Sequence, residues 1–112
     1  MPKLDPTEKY TYRVLWSDED EEFVGLCAEL PSLSWLAASR EKALKGIVKV
    51  ARQCVKDMTA NGEAVPAPLT DRKYSGVFKV RVPPIVHRNL VVEAAEAGVS
   101  LNRLVSAKLA HG

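Results

Sequence analysis

The sequence predicts an α+β protein in two parts: a small antiparallel ββ(β)α domain, then a lone strand followed by two short helices. Three observations predict it. Aromatic and β-branched runs at Tyr10–Ser17 and Phe23–Glu29 flank an acidic turn, Asp18-Glu19-Asp20-Glu21-Glu22. Apolar residues from Ala43 to Met58 recur at three- and four-residue steps. Val77–Val82 alternates strictly and then meets a double proline.

The first strand is expected at Tyr10–Ser17 and the returning strand at Phe23–Glu29, where Pro31 stops the ladder for want of an N–H. A short third strand fits Ser34–Ala37. Ser39 is an N-cap for the long helix, and Glu41 sits where a negative charge suits the dipole. Ala43, Leu44, Ile47, Val48, Ala51, Cys54, Val55 and Met58 form one apolar stripe, long enough to cover a small sheet. Asn61-Gly62 ends the helix. Residues 63–76, with Pro66 and Pro68 and no periodicity, are expected to be an extended linker between domains 1–62 and 77–112.

In the second part, Pro84 suits the first position of a helix running to Ala97, with Val86, Leu90, Val91 and Ala94 inward and Gly98 as its stop. Ser100 caps a last helix, Leu101–Ala110, whose inner residues are Leu101, Leu104, Val105 and Leu109. Val99 is placed to pack on Leu104 as a hydrophobic staple.

The chain has 112 residues, 46% hydrophobic and 27% charged, with a net charge of +2. No apolar run approaches the roughly 18 residues of a membrane span, and the start lacks the apolar core of a secretory signal, so a cytoplasmic location is expected. Cys27 and Cys54 are too few and too far apart for a disulfide framework or a zinc signature, and are expected as reduced apolar residues. The charge is uneven. Residues 1–70 carry nine Lys/Arg against eleven Asp/Glu, whereas residues 71–112 carry seven against three. The basic second part is the one suited to a polyanion.

A strand and two short helices cannot bury their apolar faces alone, and the strand leaves its backbone groups unpaired. Antiparallel pairing with the same strand of a second chain answers both needs, giving a two-fold ribbon over four helices. Alternation turns Phe78, Val80 and Val82 toward the helices and Val77, Lys79 and Arg81 outward. A ribbon of this width enters the major groove, where arginine can grip guanine and a valine methyl can touch thymine. The last helix opens with free N–H groups at Ser100, Leu101 and Asn102, a setting for phosphate. Arg103 follows in its first turn, where a cation is unfavourable unless an anion lies beside it.

Phe78-Lys79-Val80-Arg81-Val82-Pro83 with Gly98-Val99-Ser100-Leu101-Asn102-Arg103-Leu104-Val105 resembles the ribbon-helix-helix repressors. The resemblance implies that Val77, Lys79 and Arg81 read bases and that Ser100, Leu101 and Asn102 clamp phosphate, with Arg103 beside them. The first part, through Tyr12-Arg13-Val14, Gly25-Leu26-Cys27-Ala28-Glu29-Leu30-Pro31 and Ser39-Arg40-Glu41-Lys42-Ala43-Leu44, resembles HicB-type antitoxins. That resemblance implies a partial RNase H-like domain that masks a small RNA-cleaving, HicA-type toxin. It further implies a homodimer or higher oligomer that binds double-stranded operator DNA and represses its own operon. Pro31-Ser32-Leu33 departs from the Pro-Gly-Cys that many relatives carry.

Competing readings remain for several features. Val77–Val82 could be a fourth strand of the first sheet. The protein could be a solitary regulator with no toxin, or a minimal RNase H-like nuclease. The nuclease reading needs carboxylates converging from several elements, whereas Asp18–Glu22 is one contiguous turn. No catalytic residue, metal or cofactor is therefore expected. Trp16 and Trp35 are read as sheet-packing aromatics, and Lys45, Lys49, Arg52 and Lys56 as a solvated helix face.

Overall fold

The acidic turn closes a hairpin. In the computed structural model, which describes residues 5–111, β1 (Tyr12–Ser17) pairs antiparallel with β2 (Glu22–Cys27). The turn between them is held by its own side chains. Trp16 Nε1 donates to Asp18 Oδ1 at 2.6 Å, and Ser17 Oγ donates to Asp20 Oδ2 at 3.0 Å. Glu21 adopts a left-handed conformation, φ 52°, which a non-glycine residue seldom takes. β3 (Ser34–Ala37) adds to the other edge of β2, giving a three-stranded sheet of order β1-β2-β3.

Helix α1 (Arg40–Ala60) starts where Ser39 accepts the Lys42 N–H and ends at Asn61. Its buried residues, Ala43, Gly46, Ile47, Ala51 and Val55, face the sheet. Two glycines set how closely it lies. A Cβ on Gly25 of β2 would stand 2.6 Å from the Ala43 carbonyl oxygen, and one on Gly46 would stand 2.0 Å from the Trp35 ring. Helix backbone therefore rests almost directly on the central strand, and the Trp35 indole lies flush against the helix. The apolar stripe is narrower than the sequence suggests, since Leu44 stays exposed while Gly46 is buried in its place.

Tyr10, Cys27, Leu30, Ile47, Ala51 and Val55 form the core, with Tyr12, Leu33, Cys54, Met58 and Val65 packed on it. Both cysteines are free, Cys27 buried and Cys54 half-buried. The strands are shorter than expected at their outer ends. Tyr10 precedes β1 because its ring is in the core and its hydroxyl donates to the Pro66 carbonyl at 2.7 Å. β2 stops at Cys27 because the chain turns there, with the Leu30 N–H on the Cys27 carbonyl. Tyr12 donates to the Thr7 carbonyl, and burial pushes its hydroxyl up to about 12.

The expected linker, residues 63–76, is largely folded against this unit instead. The anchor is Glu29, buried just past β2. Its carboxylate accepts from the Thr11 N–H at 2.8 Å, the Thr11 hydroxyl at 3.2 Å and the Leu69 N–H at 3.0 Å. Val65 joins the core, Pro68 is buried, and Lys9 pairs with Asp71 at 2.8 Å. The prolines make the segment extended, but a buried acceptor and a buried tyrosine hydroxyl give its backbone partners. The chain divides between Met1–Tyr74 and Ser75–Gly112.

The second unit contains α2 (Pro84–Ala97) and α3 (Leu101–Ala110), which pack on each other. Lys108 of α3 pairs with Glu93 of α2 at 3.1 Å, half-exposed and worth little. Residues 77–82 form no strand in the single chain. The alternating pattern is there, but no ladder partner is available to them. They are also not a fourth strand of the first sheet, whose members are β1, β2 and β3.

Two outcomes test the first unit. Gly25→Ala forces a methyl group into the Ala43 carbonyl, and is expected to lower stability by about 1–3 kcal/mol, read from urea denaturation. Burial pushes the Glu29 carboxyl up, but the N–H groups of Leu69 and Thr11 outweigh it and hold the group below its usual range. The stability this supplies is complete above the unfolded carboxyl value and is lost as pH falls through the lower folded value. Glu29→Gln is thus expected to flatten the acid limb of melting temperature against pH, measured between roughly pH 6 and pH 3.

Candidate nucleic-acid interface

Pro83 and Pro84 determine how the extended segment meets the helix pair. Pro83 is extended, φ −56° and ψ 145°, and Pro84 begins α2. Proline biases its predecessor away from helical dihedrals, so the segment before α2 is kept open rather than coiled into it. Val77 is 84% exposed, Phe78 70% and Val80 65%, a degree of exposure that a finished fold does not leave on consecutive apolar side chains. From Phe78 to Val82, no backbone group is hydrogen-bonded to another described residue. Lys79 and Arg81 are exposed between them, without an ion pair among the described residues.

The turn between the helices is built as its residues require. Gly98 is left-handed, φ 67°, a conformation that carries a penalty for any residue with a Cβ. Its N–H donates to the Ala95 carbonyl at 3.2 Å, and the Val99 N–H donates to Ala94 at 3.0 Å. This paired arrangement satisfies two of the last carbonyls of α2. Ser100 Oγ then accepts the Arg103 N–H at 3.1 Å. The N–H groups of Ser100, Leu101 and Asn102 have no acceptor among the described residues. Ser100, Asn102 and Arg103 are exposed and Leu101 is half-buried.

Of the predicted residues, Ser100, Leu101, Asn102 and Arg103 are thus gathered at one helix start, and Val77, Lys79 and Arg81 lie along one extended segment of the same unit. A single chain does not by itself bring the segment's two flanks together. Sequence reasoning missed Glu29, a buried acceptor whose strand position gave no sign of its distant partner at Leu69. His87 and His111 are exposed. Among the described residues, no group of three or more His, Cys, Asp or Glu is arranged to hold a metal.

In the second unit, Ala94 is the only buried residue among those described. A helix pair with a bare extended segment ahead of it belongs to the class of modules that are completed by association. The particular family is shown by comparison. The model of the HicB family matches residues 60–109, and over that stretch this chain is a HicB-family protein. The family is one of generally non-enzymatic antitoxins. The match runs from the last residue of α1 through nearly all of α3, and it contains every predicted site residue. No curated protein and no solved structure matches the chain. No helix among the described residues is long and apolar enough to cross a membrane.

Proposed function

We propose that this protein is a HicB-type antitoxin that neutralises a HicA-type, RNA-cleaving toxin and represses its own operon by binding DNA. The observation that carries the DNA-binding half is the unpaired, alternating segment Val77–Val82 within the family-matched stretch. Two copies pair these segments antiparallel, which buries Phe78, Val80 and Val82 over four helices and gives the backbone groups partners. The outer face of the ribbon then carries Val77, Lys79 and Arg81 from each chain. Arg81 and Lys79 read bases from the major groove, and Val77 contacts a thymine methyl. The unpaired N–H groups at Ser100, Leu101 and Asn102 receive a backbone phosphate, with Arg103 beside it. There the Arg103 charge, unfavourable at an isolated helix start, becomes favourable.

The first unit is the toxin-binding part in this reading, a partial RNase H-like domain of strand order β1-β2-β3 with α1 on one face. It acts by stoichiometric masking rather than by chemistry. One observation favours a second reading, a solitary regulator: the family match begins only at residue 60. Co-purification of the chain with the product of an adjacent short gene distinguishes the two.

Three outcomes are expected. Phe78→Asp places a charge in the ribbon's buried face, so sedimentation should show monomers and operator binding should be lost together. Arg81→Ala should weaken operator binding by about 1–3 kcal/mol and relax preference at one base position; unchanged affinity and preference would remove it from the recognition set. Operator affinity should also fall steeply as salt rises, because counterions are released from each phosphate contacted.

A further inference from the structure

The sheet of the first unit has two faces, and α1 accounts for one. The register decides which residues lie on which. Gly25 pairs with Val14 and Trp35, and Gly25 touches α1, so that row faces the helix. The neighbouring row, Leu15–Val24–Leu36, must therefore face the other way, with Arg13–Leu26–Ser34 beyond it. No regular element other than α1 packs on the sheet among the described residues. Leu15 is 39% exposed and Leu36 44%, with Val24 and Leu26 half-buried between strands. The result is an apolar band crossing all three strands with nothing of the fold over it.

The charge at one end of that band is strongly of one sign. The hairpin turn carries Asp18, Glu19, Asp20, Glu21 and Glu22 in succession. Asp18 and Asp20 are tied in place by Trp16 and Ser17, and Glu21 occupies a left-handed position better suited to glycine. Two copies stacked through this face with their turns together would oppose like charges. A protein that holds RNA, in contrast, must present cations to phosphates. An apolar band bordered by ordered carboxylates complements such a surface.

We infer that the uncovered sheet face, Leu15, Val24, Leu26 and Leu36, is the docking platform for the basic toxin, with the Asp18–Glu22 turn standing in for RNA phosphate against the toxin's cationic surface. This rests on the toxin-partner reading above and adds where the partner sits. The basic stripe on α1 is left free on the opposite side of the sheet.

The test uses the full-length chain and, as probe, the small basic protein encoded beside it, refolded alone and titrated by calorimetry. The wild type should bind it, with affinity falling as salt rises. Leu36→Asp should weaken binding at least about tenfold while leaving operator affinity unchanged. Glu19→Gln with Glu22→Gln should reduce the salt dependence. Should Leu36→Asp fail to fold by circular dichroism, Ser34→Lys decides, since it changes an exposed polar position on the same face and should also weaken binding. Wild-type-like toxin affinity in every folded variant would overturn the platform and leave the antitoxin reading intact. Failure of the wild type itself to bind would overturn both. A variant that loses self-association but keeps its toxin affinity would identify the face as a contact between copies instead.

Discussion

A peptide segment that cannot pair its backbone or bury its side chains within its own chain governs this protein's second unit. Phe78 to Val82 is extended, apolar on every second residue and without a ladder. The helices that follow offer one fully buried residue, Ala94, so they supply too little core to stand for a finished domain. Unpaired backbone and exposed valines are unfavourable in the same place, and one event, pairing with a second copy, relieves both. The double proline keeps the segment open for that event, and Gly98 with Ser100 fixes the helix pair it would cover. Association is therefore written into the folding of the unit, and the cations that alternate with the apolar residues are carried to the outside by the same pairing.

The first unit is organised by the opposite circumstance. Its helix comes so close to β2 that backbone meets backbone at Gly25 and an indole lies on Gly46. Ile47 and Ala51 then fill the space that remains, and both are fully buried. Glu29 extends this unit beyond its helix. A buried carboxylate needs partners, and it finds them in Thr11 at the start of the sheet and in Leu69 well beyond α1. The segment bearing two prolines is thus fastened to the sheet through hydrogen bonds, and the passage to the second unit is confined to the neighbourhood of Tyr74 and Ser75.

The two surfaces assigned to partners differ in kind. The ribbon segment is incomplete backbone, and its completion needs a matching strand. The sheet face Leu15–Val24–Leu36 is complete backbone with bare side chains, which suits packing against another protein's surface. Charge separates them further: acids border the sheet face, while Lys79, Arg81 and Arg103 mark the second unit. One chain can hold a basic protein and an acidic polymer because these features are kept on separate units.

What the sequence by itself determined is local. Ser39 and Ser100 as caps, Gly98 as a helix stop, Pro84 as a helix start and the short strand Ser34–Ala37 were all legible, because each depends on one residue's dihedral or hydrogen-bonding preference. The alternation at Val77–Val82 was equally plain, yet the single chain leaves it unpaired, since a ladder needs a second strand that periodicity cannot supply. Tertiary structure alone decided that residues 63–74 belong largely with the first unit, that Leu44 yields its buried place to Gly46, and that Glu29 is an internal acceptor. Each of these turns on contacts between residues far apart in the chain, such as Glu29 with Leu69 and Gly46 with Trp35, and local composition carries no record of such distances.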